Sequence, residues 1–160
     1  LCKLLSHYRR ITFNLIAPQE LELSDEIETA LMAEGHTIKK HVRLEEGIKD
    51  VEIIYVTRTQ EERFASQDDA DRYKGLFRLN QSIYTEHCAP NTVIMHPLPR
   101  DSRQDAQELD TDMNENPNLA IFRQADNGVV VRMALFALVL GVADEIHNYS
   151  QTVTWTTSRR

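Results

Sequence analysis

The chain has 160 residues, 41% of them hydrophobic and 27% charged, with a formal net charge of −7. That length can bury one sizeable core, and the composition is ordinary for a globular domain. A net acidic chain offers no broad cationic face to phosphates, so a nucleic-acid partner is not expected. The first residues, LCKLLSHYRR, put Leu1, Leu4, Leu5 and Tyr8 on one helical face, yet nothing caps the start. The expectation is a chain cut from a longer protein, with a helix that began upstream.

ITFNLIA (11–17) reads as a strand from its β-branched and aromatic residues, and Pro18 ends it. Ser24 suits an N-cap, with Asp25 and Glu26 in the first turn, where the helix dipole favours acids. Ile27, Ala30 and Leu31 give that helix its buried stripe, and Gly35 suits its C′ position. HTIKKHV (36–42) predicts a more polar strand, and LEEGIKD (44–50) a short helix. VEIIYV (51–56) is a nearly continuous apolar run, the pattern of a strand buried on both faces of a parallel sheet. Residues 81–87 predict a helix and TVIM (92–95) another short buried strand. The polar stretch 101–118 predicts a solvated loop with one helical turn. Residues 119–142 end in a long apolar helix whose Met133 and Phe136 belong in a core. The 143–160 tail is polar and unassigned.

Two cysteines, Cys2 and Cys88, form no disulfide framework and no CxxC metal pair, which fits a reducing compartment. The apolar run 129–143 is too short to span a bilayer and carries Arg132, so no membrane partner is expected. The histidines show no metal-site spacing. Alternating helices and strands predict an α/β fold, a three-layer αβα domain around a mostly parallel, Rossmann-like sheet. Ligands of such folds sit at the carboxyl ends of strands, which selects the segments after VEIIYV and after TVIM.

The first is TRTQEER (57–63). Arg58 and Gln60 stand two apart, on one side of an extended chain. A guanidinium fork and an amide there suit a carboxylate or phosphate; the plainer alternative is that Arg58 and Arg63 simply pair with Glu61, Glu62 or Asp residues on the surface. The second is HPLPR (96–100). Proline lacks an N–H and biases the preceding residue toward extended backbone, so His96 and Leu98 are expected to be extended. The carbonyls of this segment need partners, and those of Pro97 and Leu98 could face a ligand NH₂ group. A rigid turn off the sheet is the plainer alternative.

YVTRTQEER (55–63), MHPLPR (95–100) and FRQADNGVVVRMALFALVLG (122–141) together resemble the aspartate-binding half of the aspartate carbamoyltransferases. The resemblance covers residues 1–142 and implies an aspartate-binding domain there. Ornithine carbamoyltransferases differ in having cysteine after the corresponding histidine and no arginine after the second proline; here those positions are Pro97 and Arg100.

The resemblance implies that the α-amine of L-aspartate attacks carbamoyl phosphate, an early step of pyrimidine biosynthesis, without metal or organic cofactor. It implies that Arg58 grips the aspartate carboxylates with Gln60 beside it. It also implies that the backbone carbonyls of Pro97 and Leu98, with Pro99 adjoining, hold the carbamoyl amide and the attacking amine. The segment after the TRTQ motif, FASQDDADRYKG (64–75), would be a loop that moves with substrate, and Arg100 is left without a fixed role.

The family's carbamoyl-phosphate half, with its STRTR and HPTQ motifs, is not in this sequence, nor is its GRTVHS-type segment. The chain alone is therefore expected to be inactive. Its expected partners are that missing domain, copies of itself in a cytoplasmic homotrimer, and regulatory subunits or other pyrimidine-pathway enzymes. Two alternatives stand beside this reading: carbamoyl transfer to another amino acid such as ornithine, and a non-catalytic binding or assembly relative.

Overall fold

The computed structural model describes residues 1–103, 106–149 and 151, and its contacts define two units, Leu1–Ile121 and Phe122–Arg160. The first unit opens with a short helix, α1 (Cys2–Leu5), followed by strand β1 (Thr12–Ile16). Helix α2 (Asp25–Ala33) crosses to strand β2 (Thr37–His41), which pairs with β1 in parallel, Phe13 opposite Ile38. Ser24 occupies the N-cap of α2 through its carbonyl, which accepts from Ile27 and Glu28, and not through its side chain. Gly35 ends the helix at φ +86°, a conformation that costs glycine nothing.

A single-turn helix, α3 (Leu44–Gly47), leads to strand β3 (Ile53–Tyr55). Helices α4 (Gln67–Tyr73) and α5 (Gln81–His87) then carry the chain to strand β4 (Val93–Met95), parallel to β3 with Ile54 opposite Ile94. The α/β class and the parallel pairing are as expected, but the ladder is divided into two parallel pairs, β1 with β2 and β3 with β4. On its other side β4 receives 118–120: Ile94 N–H donates to Asn118 O and accepts Ala120 N–H in turn at its own carbonyl. β4 is thus held along both edges. Among the described residues β3 pairs only with β4, and Ile53 is 59% exposed, which corrects the expectation of burial on both faces.

Ile48, Ile54, Leu79, Ile94, Leu109 and Met113 form the centre of the core. Polar ties fix the starts of β3 and β4. The Tyr84 hydroxyl donates to Thr92 O at 2.8 Å and accepts from Asn118 Nδ2 at 2.8 Å, while Thr92 Oγ1 donates to Val51 O at 2.7 Å. Each satisfies a group that would be costly to bury alone. Residues 101–118 are more structured than a solvated loop. Leu79 N–H donates to Glu108 O, Asp110 N–H donates to Leu79 O, and Thr111–Glu115 is a 3₁₀ turn; residues 104 and 105 lie outside the described residues.

The second unit contains the rest of helix α6 (Ile121–Val139), a 3₁₀ turn (Ala143–Glu145) and helix α7 (Ile146–Tyr149). α6 ends in a left-handed Gly141, with Val142 N–H reaching back to Ala137 O at 3.0 Å. Met133 and Phe136 are 66% and 67% exposed, so the expectation that they are core residues does not hold in this chain. Of the tail, residue 150 and residues 152–160 lie outside the described residues. No helix among the described residues is long and apolar enough to cross a membrane.

α3 lies close on the first parallel pair. Asn14 Nδ2 donates to Gly47 O at 2.9 Å, and a Cβ at Gly47 would stand 2.3 Å from Ile16 Cγ1. Gly47→Ala should therefore destabilise the fold by about 1–3 kcal/mol, the usual cost of overpacking. The midpoint of chemical denaturation measures it.

Candidate functional site

Both selected segments leave the same end of the second parallel pair. Val56 N–H donates to Met95 O at 2.9 Å, and beyond that bond the two chains diverge. Residues 57–60 are irregular and close into a 3₁₀ turn, Glu61–Arg63. From the other strand, residues 96–100 run without regular structure. Between them lies a cleft of about 250 Å³ lined by Thr57, Arg58, Gln60, His96, Pro97, Leu98 and Pro99. The structure therefore brings together every residue selected from the sequence: Arg58, Gln60, Pro97, Leu98 and Pro99.

Arg58 is half exposed and donates through Nη2 to Glu62 Oε1 at 2.7 Å, four residues on. That contact orients the guanidinium. Gln60 Oε1 accepts from Arg63 Nη1 at 3.0 Å, so the NH₂ end of the amide is the end with protons to offer an anion. Arg63 thus orients Gln60.

His96 is buried, at 1% exposure. Its Nδ1 accepts Leu98 N–H at 2.8 Å, and Nε2 lies 2.7 Å from Glu108 Oε1. An Nδ1 that accepts must carry no proton, so Nε2 carries one and donates it to the carboxylate. The bond to Nδ1 holds Leu98 at φ +53°, in the left-handed region, and the Leu98–Pro99 peptide is cis. Leu98 is therefore not extended as expected: the proline bias on the preceding residue yields to the hydrogen bond that Leu98 N–H donates to a fixed imidazole. Positive φ at a leucine is uncommon and concentrates where surrounding structure imposes it, often at functional sites. Among the described residues, no N–H or side-chain donor reaches the carbonyl oxygens of Pro97 or Leu98.

Glu108, missed in the sequence as a loop acid, is 3% exposed. Burial alone would raise its pKa, but the His96 hydrogen bond and the backbone N–H groups of Glu108 and Asp101 outweigh that and lower it. Asp101 is held at about 2, chiefly by hydrogen bonds from the side chain and backbone of Arg103. Arg100 turns away to donate to Asp110 O at 3.2 Å, and the Asp110 carboxylate takes Arg78. No group of residues among those described could hold a metal ion.

The segment 64–75 is also ordered differently from the expected loop. Ser66 Oγ accepts Asp69 N–H and caps α4, and Phe64 stacks on Tyr73 with ring centroids 5.5 Å apart.

A parallel α/β domain with its cleft at the carboxyl ends of paired strands is a ligand-binding domain of the doubly wound type. The family model described as Aspartate/ornithine carbamoyltransferase, Asp/Orn binding domain matches residues 2–139, and the chain belongs to that family. It is 58% identical over 160 residues to the aspartate carbamoyltransferase catalytic subunit of Cellvibrio japonicus (strain Ueda107), covering all of this chain and 47% of that protein. The chain thus spans about half the length of the curated relatives it matches. Among solved structures, the catalytic subunit of M. jannaschii aspartate transcarbamoylase matches with a TM-score of 0.73 at 27% identity, covering 89% of this chain and 44% of that one. Aspartate transcarbamoylase from Trypanosoma cruzi, in complex with carbamoyl phosphate and aspartate, matches with a TM-score of 0.66 at 28% identity, covering 78% and 40%.

Asp101 and Glu108 both titrate below ordinary carboxylates. The Asp101 contribution is therefore present above the ordinary aspartate range and is lost as pH falls toward about 2, and the Glu108 contribution is present above the ordinary glutamate range and is lost as pH falls below it. Glu108→Gln, which does not titrate, should flatten part of that acid-side decline. Denaturation midpoints at about pH 3 and about pH 6 give the comparison.

Proposed function

We propose that the parent protein transfers the carbamoyl group of carbamoyl phosphate to the α-amine of L-aspartate, and that this chain supplies the aspartate side of the site. One observation carries the reading. Arg58 and Gln60 line the same cleft as Pro97 and Leu98, whose main-chain carbonyls accept no hydrogen bond among the described residues. Donors on one wall and acceptors on the other match a molecule with carboxylates at one end and N–H groups at the other. The names of the relatives agree: the Cellvibrio japonicus protein is an aspartate carbamoyltransferase subunit, and the Trypanosoma cruzi structure holds carbamoyl phosphate and aspartate.

In this mechanism the guanidinium of Arg58 binds carboxylate, and the amide of Gln60 adds a donor. The carbonyls of Pro97 and Leu98 accept from the attacking amine and from the carbamoyl NH₂, aligning the nitrogen on the carbamoyl carbon. The new N–C bond forms, the C–O bond to phosphate breaks, and the proton lost by the amine leaves with the departing phosphate. Catalysis comes from orientation and a preorganised polar site. Carbamoyl phosphate is held mainly by a further domain of the parent, as in a cytoplasmic homotrimer serving pyrimidine biosynthesis. The aspartate-binding domain is residues 1–142, with 143–160 as a tail.

A guanidinium at the side-chain end of the acceptor favours an acid over the cationic side chain of ornithine. The parent protein, offered aspartate and ornithine separately, should carbamoylate aspartate. Arg58→Ala should then lower kcat/KM for aspartate by roughly 2–4 kcal/mol in transition-state binding, about 30- to 1000-fold. Turnover of ornithine would overturn the acceptor assignment. A folded parent that carbamoylates neither would point to a binding or assembly relative.

A further inference from the structure

The parallel ladder sets the spacing of the two cleft walls only as far as Val56 and Met95. Beyond it, among the described residues, backbone hydrogen bonds from 57–65 stay within that segment. Yet Arg58 on one wall and the Pro97 and Leu98 carbonyls on the other must meet a single small molecule. The bond of Arg58 to Glu62 is internal to its own segment and cannot set that distance.

Arg103 spans the two segments. Its Nη1 and Nη2 donate to Glu61 Oε2 and Oε1 at 3.1 and 2.7 Å, a parallel two-bond fork onto the Arg58 segment. Its Nε donates to both oxygens of Asp101 at 3.1 and 3.2 Å, and Nη2 also reaches Asp101 Oδ2 at 2.6 Å. The backbone N–H of Arg103 adds a bond to Asp101 Oδ1 at 2.9 Å. Asp101 is tied inward in turn. Its N–H donates to the Glu108 carboxylate at 3.1 and 3.3 Å, and Glu108 accepts from the imidazole that positions Leu98.

A continuous hydrogen-bonded path therefore runs from Glu61, three residues after Arg58, to the carbonyl-bearing turn. The Glu61 and Asp101 side chains are 17% and 13% exposed, whereas Arg103 is 50% exposed. A lone exposed ion pair adds little to stability. A planar guanidinium shared by two sheltered carboxylates on different segments fixes geometry instead.

We propose that Arg103 is a positioning residue for the transfer reaction, setting the distance between the Arg58 guanidinium and the Pro97 and Leu98 carbonyls by bridging Glu61 and Asp101. It touches no substrate and acts through the two walls. This inference rests on the carbamoyl-transfer reading above.

The test uses the full-length parent with Arg103→Ala, Arg103→Lys, Glu61→Gln and the Glu61→Gln, Arg103→Ala double variant. Arg103→Ala should raise KM for aspartate roughly 5- to 20-fold and leave KM for carbamoyl phosphate within about 2-fold. The melting temperature should stay within about 2 °C, because the side chain is half exposed. Lysine, a point charge without the fork, should recover only part of the loss. Glu61→Gln should shift the same constant, and the double variant should be within about 2-fold of Arg103→Ala alone, the non-additivity of one shared interaction.

Unchanged aspartate kinetics in Arg103→Ala, beside an active wild type, would overturn the inference and leave the carbamoyl-transfer reading intact. An equal loss in both substrates that tracks a fall in melting temperature would also overturn it, as a plain stability effect. If Arg103→Ala fails to fold, Glu61→Gln carries the same comparison with one atom changed. A wild-type parent that carbamoylates no aspartate would overturn the reading and this inference together.

Discussion

The arrangement of the cleft depends on one imidazole at the end of β4, whose two nitrogens face opposite tasks. Nδ1 of His96 accepts the N–H of Leu98, two residues on, and Nε2 gives its proton to Glu108. The first bond turns the chain sharply enough to bring Leu98 to positive φ. The second anchors the imidazole to a segment that returns from the far side of the polar stretch and is itself bonded to Leu79. A side chain with one kind of hydrogen-bonding atom could not serve both. Burial makes each bond matter more, because no water competes for either nitrogen.

Local charge placement dominates the overall field here. The chain carries a net charge of −7, which disfavours any anionic ligand at long range. At the cleft the acids near Arg58 are already engaged: Glu62 with Arg58 itself, Glu61 and Asp101 with Arg103. Their charge is partly neutralised before a ligand arrives. At physiological salt, screening over about 8 Å leaves these close contacts to decide what the cleft accepts.

Much of this was legible in the sequence, where the signal was local. β-Branched runs marked the strands, Gly35 marked the end of a helix through its backbone freedom, and the strand-end rule pointed to Arg58, Gln60 and the Pro97 and Leu98 carbonyls as neighbours. What was hidden depended on contacts across the chain. Glu108 looked like any loop acid because nothing in its neighbourhood announces a histidine twelve positions earlier. Leu98 looked extended because the proline bias is a local rule, while the bond that overrides it is donated to a buried ring. Ile53, Met133 and Phe136 looked like core because an apolar residue reports that it needs cover, not which surface supplies it. The helix at 67–73 was read as loop from the resemblance and from its polar residues and Gly75, although Ser66 and Asp69 at its start form a capping pair.

The acceptors proposed for the cleft, those of Pro97 and Leu98, are main-chain oxygens, and this gives the proposed site an unusual genetic character. No codon change at Pro97 or Leu98 can delete a carbonyl. It can only alter the path of the backbone that presents it. Variation there reaches those oxygens through torsion angles and not through side-chain chemistry. The vulnerable positions lie elsewhere: at His96, which bends the chain, and at Glu108, which holds His96 in place. The inheritance of function at this wall is carried by residues that themselves present no acceptor to a ligand.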